Sequence, residues 1–326
     1  MTSRTPTAPP GHATPRTGPA AIPTEPAVTD AELRAARVVP PRRPGQWISA
    51  AVAAVLLAML VHTVLTNPRF QWDIVGQFFT SASILRGLVL TLWLTAAVMV
   101  CGYLLGTALA AMRLSRNAVL RSASFTYVWL IRSVPPLVLL LFWYELASLY
   151  PRLSVGIPFG PEFASVRTAH LFTGVVAAFV ALTLDVAAFS AEIVRGGLLS
   201  VDTGQSEAAQ ALGLGRWRIF RRIVLPQAMP AIVPASGNML ISMLKATSIV
   251  SVIAVQDLLY SAQLIYNQNF QVIPLLLVAT LWYVILTTLL SVGQFYVERH
   301  YARGTRRGLG RITLANLPLF RRAGAP

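Results

Sequence analysis

The stretch Asp202-Thr203-Gly204-Gln205-Ser206-Glu207-Ala208-Ala209-Gln210-Ala211-Leu212-Gly213, followed by Ile223, Leu225 and Pro226, decides how this chain is organised. It is a polar segment set between long apolar runs. Asp202 and Gln205, three positions apart, read as a capping pair with the acid at the positive end of a helix, and helix-favouring Glu, Ala, Gln and Leu follow. Gly213 can take the left-handed geometry that ends a helix, and Arg216 to Leu225 reads as a second helical stretch stopping at Pro226. The spacing predicts a helix, a turn and a helix. The small side chains of Ala208, Ala209 and Ala211 would let another protein approach the helix backbone, with Gln205 and Glu207 offering polar contacts at the rim. An amphipathic hairpin resting among lipid headgroups fits the same residues, including the arginines and Trp217.

Outward from this segment the chain is strongly apolar. The 326 residues are 55% hydrophobic and 12% charged, with a mean hydropathy of +0.61. That places the chain among integral membrane proteins. Apolar runs lie at Trp47 to Leu65, Gly87 to Met112, Phe125 to Leu149, Leu171 to Ile193, Pro234 to Val255 and Val272 to Val297. A bilayer crossing needs about 20 residues at about 1.5 Å each, so about six spans are expected. Their unbroken length suits helices rather than the alternating strands of a barrel, and the fold class is all-α. The third run is interrupted by Arg132-Ser133-Val134-Pro135-Pro136, and reads either as a kinked span or as an interfacial helix followed by a span.

The net charge of +15 does not indicate nucleic acid, because the basic residues sit between apolar runs rather than on one soluble face. Arginine instead reports orientation, since short cytoplasmic loops carry the excess of Lys and Arg. Arg42 and Arg43, then Arg113, Arg116 and Arg121, then Arg195, Arg216, Arg218, Arg221 and Arg222, then Arg299, Arg303, Arg306 and Arg307 all fall on one side. The opposite connections hold scattered Arg69, Arg86, Arg152 and Arg167, and Gln256 to Gln271 has neither Lys nor Arg. Both termini are expected in the cytoplasm. Residues 1–45, rich in Pro, Thr and Ala, read as a disordered tail rather than a signal peptide. Residues 46–66 read as a first transmembrane helix, 84–303 as the main transmembrane domain with the loop 200–226, and 304–326 as a basic cytoplasmic tail.

The pattern E-A-A-(x)3-G-(x)9-I-x-L-P formed by Glu207 to Pro226 resembles the Glu-Ala-Ala cytoplasmic loop of ABC importer permeases at every fixed position. Its context is similar to the polar amino acid permease family of the histidine and glutamine uptake type. Ala191-Glu192-Ile193-Val194-Arg195-Gly196-Gly197 precedes the loop, and Leu225-Pro226-Gln227-Ala228, Gly237-Asn238 and Lys245-Ala246-Thr247-Ser248-Ile249-Val250-Ser251-Val252-Ile253 follow it. Arg132-Ser133-Val134-Pro135 resembles the family's Arg-Gly-Thr-Pro segment. The resemblance runs from about Gly87 to Arg303. It departs where the family often places Asp and this chain has Ala246, and no family motif matches the first span or the tail.

The resemblance implies a five-helix permease core, here with an extra N-terminal span, in the cytoplasmic membrane of a bacterium. It implies a second permease copy or a paralogue, a pair of ABC ATPase subunits, an extracytoplasmic solute-binding protein and an amino acid as cargo. Opines, cystine or another small zwitterion are the nearest variants. Gln205, Glu207, Ala208, Ala209 and Gly213 would form the coupling helix seated in the ATPase, whose closure tilts the spans. The chain has no G-x-x-x-x-G-K-[ST] phosphate loop, so ATP and Mg are expected on the partner ATPase and no enzymatic activity on this chain.

Charged groups at mid-membrane cost about 2.5–3.5 kcal/mol on insertion scales, so they usually face a bundle interior or a wet cavity. Asp185, Glu192, Arg132 and Lys245 are the candidates. Asp185 and Glu192 share a helical face, and Glu192 stands three residues before Arg195, the spacing of an ion pair. Lys245, the only lysine in the chain, would meet a substrate carboxylate, pair with Asp185 or mark a helix end. Asn238 would line the path or hydrogen-bond across helices. A secondary transporter would show internal repeats and more spans, a channel a filter loop or charged rings, and a membrane enzyme clustered ligands. Here Cys101 is alone and His62, His170 and His300 are isolated.

Overall fold

The structure, a computed structural model, describes residues 44–156 and 162–301. The expected tails lie outside these residues, apart from Pro44 and Gly45, as do Arg42, Arg43, Arg303, Arg306 and Arg307 of the orientation argument. Two units are distinguished, one ending at Thr66 and one beginning at Asn67. The described part of the first is a single apolar helix, α1 (Pro44–Thr66). Its 20-residue stretch from Trp47 is long and apolar enough to cross a membrane.

In the second unit the chain runs through α2 (Trp72–Phe79), α3 (Ala82–Arg113), α4 (Ala118–Ser133) and α5 (Pro136–Tyr144). A hairpin of β1 (Arg152–Gly156) and β2 (Glu162–Arg167) follows, antiparallel with Arg152 opposite Arg167. Then come α6 (Gly174–Leu199), α7 (Thr203–Ala211), α8 (Leu225–Ala246), α9 (Leu258–Asn269) and α10 (Val272–Tyr301). Helices α3, α6 and α10 and the run Arg216–Ile253 join α1 as candidate spans, and α4 with α5 forms a pair bent by 99°. Counted as one crossing, that pair brings the total among the described residues to the expected six. The bend has a local cause. Val134 precedes Pro135 and is held extended at φ −100°, ψ 129°, because the proline ring excludes the helical region for its neighbour. Pro136 then opens α5, where a missing amide costs no hydrogen bond.

One expectation is corrected. The stretch from Arg216 does not stop at Pro226: a helical turn at Arg216–Ile219 passes into a wider π turn at Phe220–Val224 and on into α8, with Pro230 and Pro234 inside it. A π turn shifts the carbonyls that a proline ring would otherwise strike, so the helix continues through the proline. The β-hairpin and α9 are absent from the hydropathy pattern, since both lie in the connections.

Within lipid, helices gain little from burying apolar surface and associate instead through close packing. The α3–α6 seam shows how. Gly102 and Gly106 are four residues apart on α3. A Cβ at Gly106 would run into Ser190 Oγ and stand 2.7 Å from the Ala187 carbonyl oxygen, and one at Gly102 would stand 2.7 Å from Val186 Cβ. Ser190 Oγ donates to the Gly102 carbonyl at 3.1 Å, and Ala177, Ala181, Ala187, Ala188 and Ala191 of α6 are buried. Around this seam Leu94, Val98, Leu140, Leu182 and Val250 form the larger core, to which α3, α5, α6 and the turn after α8 contribute. A second core joins α2, α9 and α10 to the start of α3 through Ile84, Leu258, Leu275 and Val278. Trp282 stacks on Phe79 and donates to its carbonyl at 2.9 Å.

Asp257 ties the connection between α8 and α10 to α3. It is fully buried, and its Oδ1 accepts from the Tyr260 amide at 2.8 Å, capping α9. The Leu258 amide donates to Thr91 Oγ1 at 3.0 Å, and Gly87 leaves room for the Asp257 carbonyl, 2.5 Å from where a Cβ would sit.

Candidate coupling site and membrane path

The polar stretch between α6 and α8 holds the short helix and the glycine turn that its spacing predicts. Asp202 is the N-cap of α7, but its carboxylate accepts from the Gly204 amide at 2.8 Å rather than working as a pair with Gln205. At the other end Gly213 has φ +76°. Its amide donates to the Gln210 carbonyl at 2.9 Å, while the Leu214 amide donates to Ala209 at 3.1 Å. These two bonds are the glycine-terminated ending that satisfies the last carbonyls of a helix. Helix α7 then packs on the turn at Arg216–Ile219 and on the π turn.

Of the three alanines, Ala208 and Ala211 are exposed as expected and Ala209 is not. Ala209 is 4% exposed and faces inward, with Ile219 likewise buried, so its small size serves the hairpin's own packing. Gln205, Glu207 and Ala208 are exposed. So are two large apolar groups, Leu212 at 81% and Trp217 at 70%, with Trp217 stacked on Phe220 at 5.8 Å. Leu212 was not singled out from sequence. Its signal is positional: an apolar residue immediately before a left-handed glycine is carried past the end of the helix, with no wall to bury it.

The charged residues of the spans fall into separate groups. Glu192 pairs with Arg195 at 2.7 Å, as the spacing predicts, and also with Arg113 at 3.3 Å. Arg113 ends α3 and lies over the Phe125 ring at 4.6 Å, so Glu192 joins α6 to α3 and, through Arg113, to α4. Arg132 lies over the Phe189 ring at 5.0 Å. Phe189 is one turn along α6 from Asp185, which is buried and makes no ion pair among the described residues. Tyr127 donates to the Leu184 carbonyl at 3.0 Å beside it.

Lys245 is exposed in the last turn of α8, where a cation complements the helix dipole, and it is not paired with Asp185. Asn238 accepts from Gln294 Nε2 at 3.2 Å, an amide that also reaches the Pro234 carbonyl and Glu298. It therefore bonds across helices, from α8 to α10. Among the described residues no three His, Cys, Asp or Glu side chains group as metal ligands.

Comparison with known proteins assigns this architecture. Residues 102–303 match the family described as binding-protein-dependent transport system inner membrane component. The arginine transport system permease protein ArgU of Corynebacterium glutamicum is 38% identical over 90% of this chain and 91% of its own length. The octopine transport system permease protein OccM of Rhizobium radiobacter is 34% identical over 76% of this chain and 94% of its own. Among solved structures, one described as an amino acid ABC transporter with histidines superposes with a TM-score of 0.58 at 31% identity, covering 67% of this chain and 94% of the other. The match over residues 102–303, together with the likeness to ArgU, places this chain in the family of binding-protein-dependent transport system inner membrane components.

Proposed function

We propose that this chain is the permease subunit of an ABC importer for amino acids, in which the α7 hairpin transmits the work of a separate ATPase to the spans. The observation that carries the reading is the hairpin itself. Asp202 and Gly213 bound α7, Ala209 holds it to its base, and Gln205, Glu207, Ala208 and Leu212 are left facing outward. A pair of ATPases closing on ATP and Mg would push two such hairpins together. The motion reaches the bundle through a continuous rod, because α7 packs on the turn and π turn that run directly into α8. Alternating access then follows as rigid-body tilting of packed helices.

Relatives are named for arginine, octopine, glutamine and glutamate/aspartate, which supports a small zwitterion bearing an amino-acid group as the cargo here. Delivery falls to an extracytoplasmic solute-binding protein, and a second copy or a paralogue completes the path. Arg132 and the unpaired Asp185 are the first candidates to meet such a cargo, with Lys245 at the end of α8 the next. Asn238 is a helix-to-helix bond. The arginine distribution supports a cytoplasmic side for the α7 hairpin and both termini, in a bacterial cell.

The test is Glu207→Arg in the full transporter reconstituted in proteoliposomes. Reversing a docking charge is expected to cut ATP-driven uptake by about tenfold or more while the chain remains folded. Unchanged ATP-driven uptake would remove the coupling role.

A further inference from the structure

A groove of 850 Å³ runs between α3, α6, α8 and α10 in the half of the spans that carries the α7 hairpin. Leu114, Phe220, Leu240, Leu289 and Gly293 are among its walls, and its lining is overwhelmingly apolar. From Met99 to Leu114 along α3 it extends about 22 Å at about 1.5 Å per residue, somewhat more than the roughly 15 Å of hydrocarbon in one leaflet.

Its rim at the hairpin end is mainly basic; the carboxylate beside Val297 there, Glu298, accepts from Gln294 Nε2 at 2.6 Å. Phe220, Leu114 and Val297 line the groove at the hairpin end, and Arg221, Arg222, Arg116 and Arg299 stand one or two residues from them. All four arginines are exposed, and none forms an ion pair among the described residues. An apolar trough at leaflet depth takes an acyl chain, and cations at the headgroup level select the lipid by charge. We infer that this groove binds the acyl chain of an anionic phospholipid, with its phosphate held by the arginines at the rim. The site stands apart from the transport reading and would be present whatever the cargo.

Gly293 supplies the means to test it. A Cβ there would meet no atom within 4 Å, so a larger side chain enters the groove without disturbing the helices. The full chain is placed in nanodiscs carrying phosphatidylglycerol or phosphatidylcholine with a photoactivatable acyl chain, and labelled peptides are read by mass spectrometry. Wild type is expected to label on α3, α8 and α10 at least about fivefold more from phosphatidylglycerol than from phosphatidylcholine. Gly293→Leu should remove the labelling from both lipids, and Arg221→Gln with Arg222→Gln should bring phosphatidylglycerol down toward the phosphatidylcholine level. Equal labelling by the two lipids in wild type, or undiminished labelling of Gly293→Leu, would overturn the assignment. So would efficient linking of two copies through Gly293→Cys on a Cys101→Ser background, which would put a second protein in the groove.

Discussion

The seam between α3 and α6 and the hairpin around α7 both depend on small residues, and they use them for opposite purposes. At the seam, Gly102 and Gly106 face Val186, Ala187 and Ser190 so closely that no side chain fits between the backbones. In the hairpin, Gly213 has open space around it and is needed for its backbone angle, while only Ala209 turns inward. Where lipid surrounds the helices, smallness lets backbones meet, because dispersion and a few hydrogen bonds are the available glue. Where water surrounds them, smallness shapes a local turn and leaves the outer face free. The seam is therefore a matter of stability, and the hairpin one of recognition.

Breaking the seam should have the largest effect. Gly106→Leu must push α3 away from the Ala187 carbonyl, and is expected to cost about 3 kcal/mol or more. Thermal unfolding of the purified chain would show it, with Gly196→Ala, where a Cβ meets nothing, as a control that loses no stability. A wild-type melting profile for Gly106→Leu would mean that the two helices are not held at this distance.

A smaller change is expected at Asp257, in the connection beyond α8. Burial pushes its carboxyl from an ordinary 3.8 up to about 6, although its bond from the Tyr260 amide works the other way. The folded chain then holds this proton more tightly than the unfolded one, so the contribution is present below about pH 4 and lost as pH rises to about 6. Asp257→Asn keeps an acceptor for the cap and removes the ionisable group. It should stabilise the chain at neutral pH by about 2 kcal/mol, with little gain near pH 4, as followed by melting temperature across that range. A constant difference between variant and wild type at all pH values would contradict this account.

In the hairpin, Gly213→Ala forces an L residue to φ +76°, at a cost of about 1–2 kcal/mol confined to α7. Hydrogen exchange should speed up in Thr203 to Leu214 and not in α6. Finally, Leu212→Ser touches no packed surface and should change stability by no more than about 0.5 kcal/mol. Its effect should appear instead as weaker co-purification of the ATPase. Loss of stability without loss of partner would place Leu212 in a core rather than at a contact.

Much of this was legible before any coordinates. Run lengths set the helical spans because a backbone in hydrocarbon must satisfy its own hydrogen bonds. Asp202 and Gly213 marked the ends of α7 because caps act over a few residues, and the i,i+3 spacing of Glu192 and Arg195 placed their pair for the same reason. Tertiary structure alone decided the rest, since it concerns residues distant in the chain. Arg113 as the second partner of Glu192, Gln294 as the partner of Asn238, the closing of Gly102 and Gly106 against α6, and the inward turn of Ala209 all need two segments to meet. Pro226 shows the limit from the other side: a local rule that ends helices gave way to a π turn once the hairpin was joined to α8.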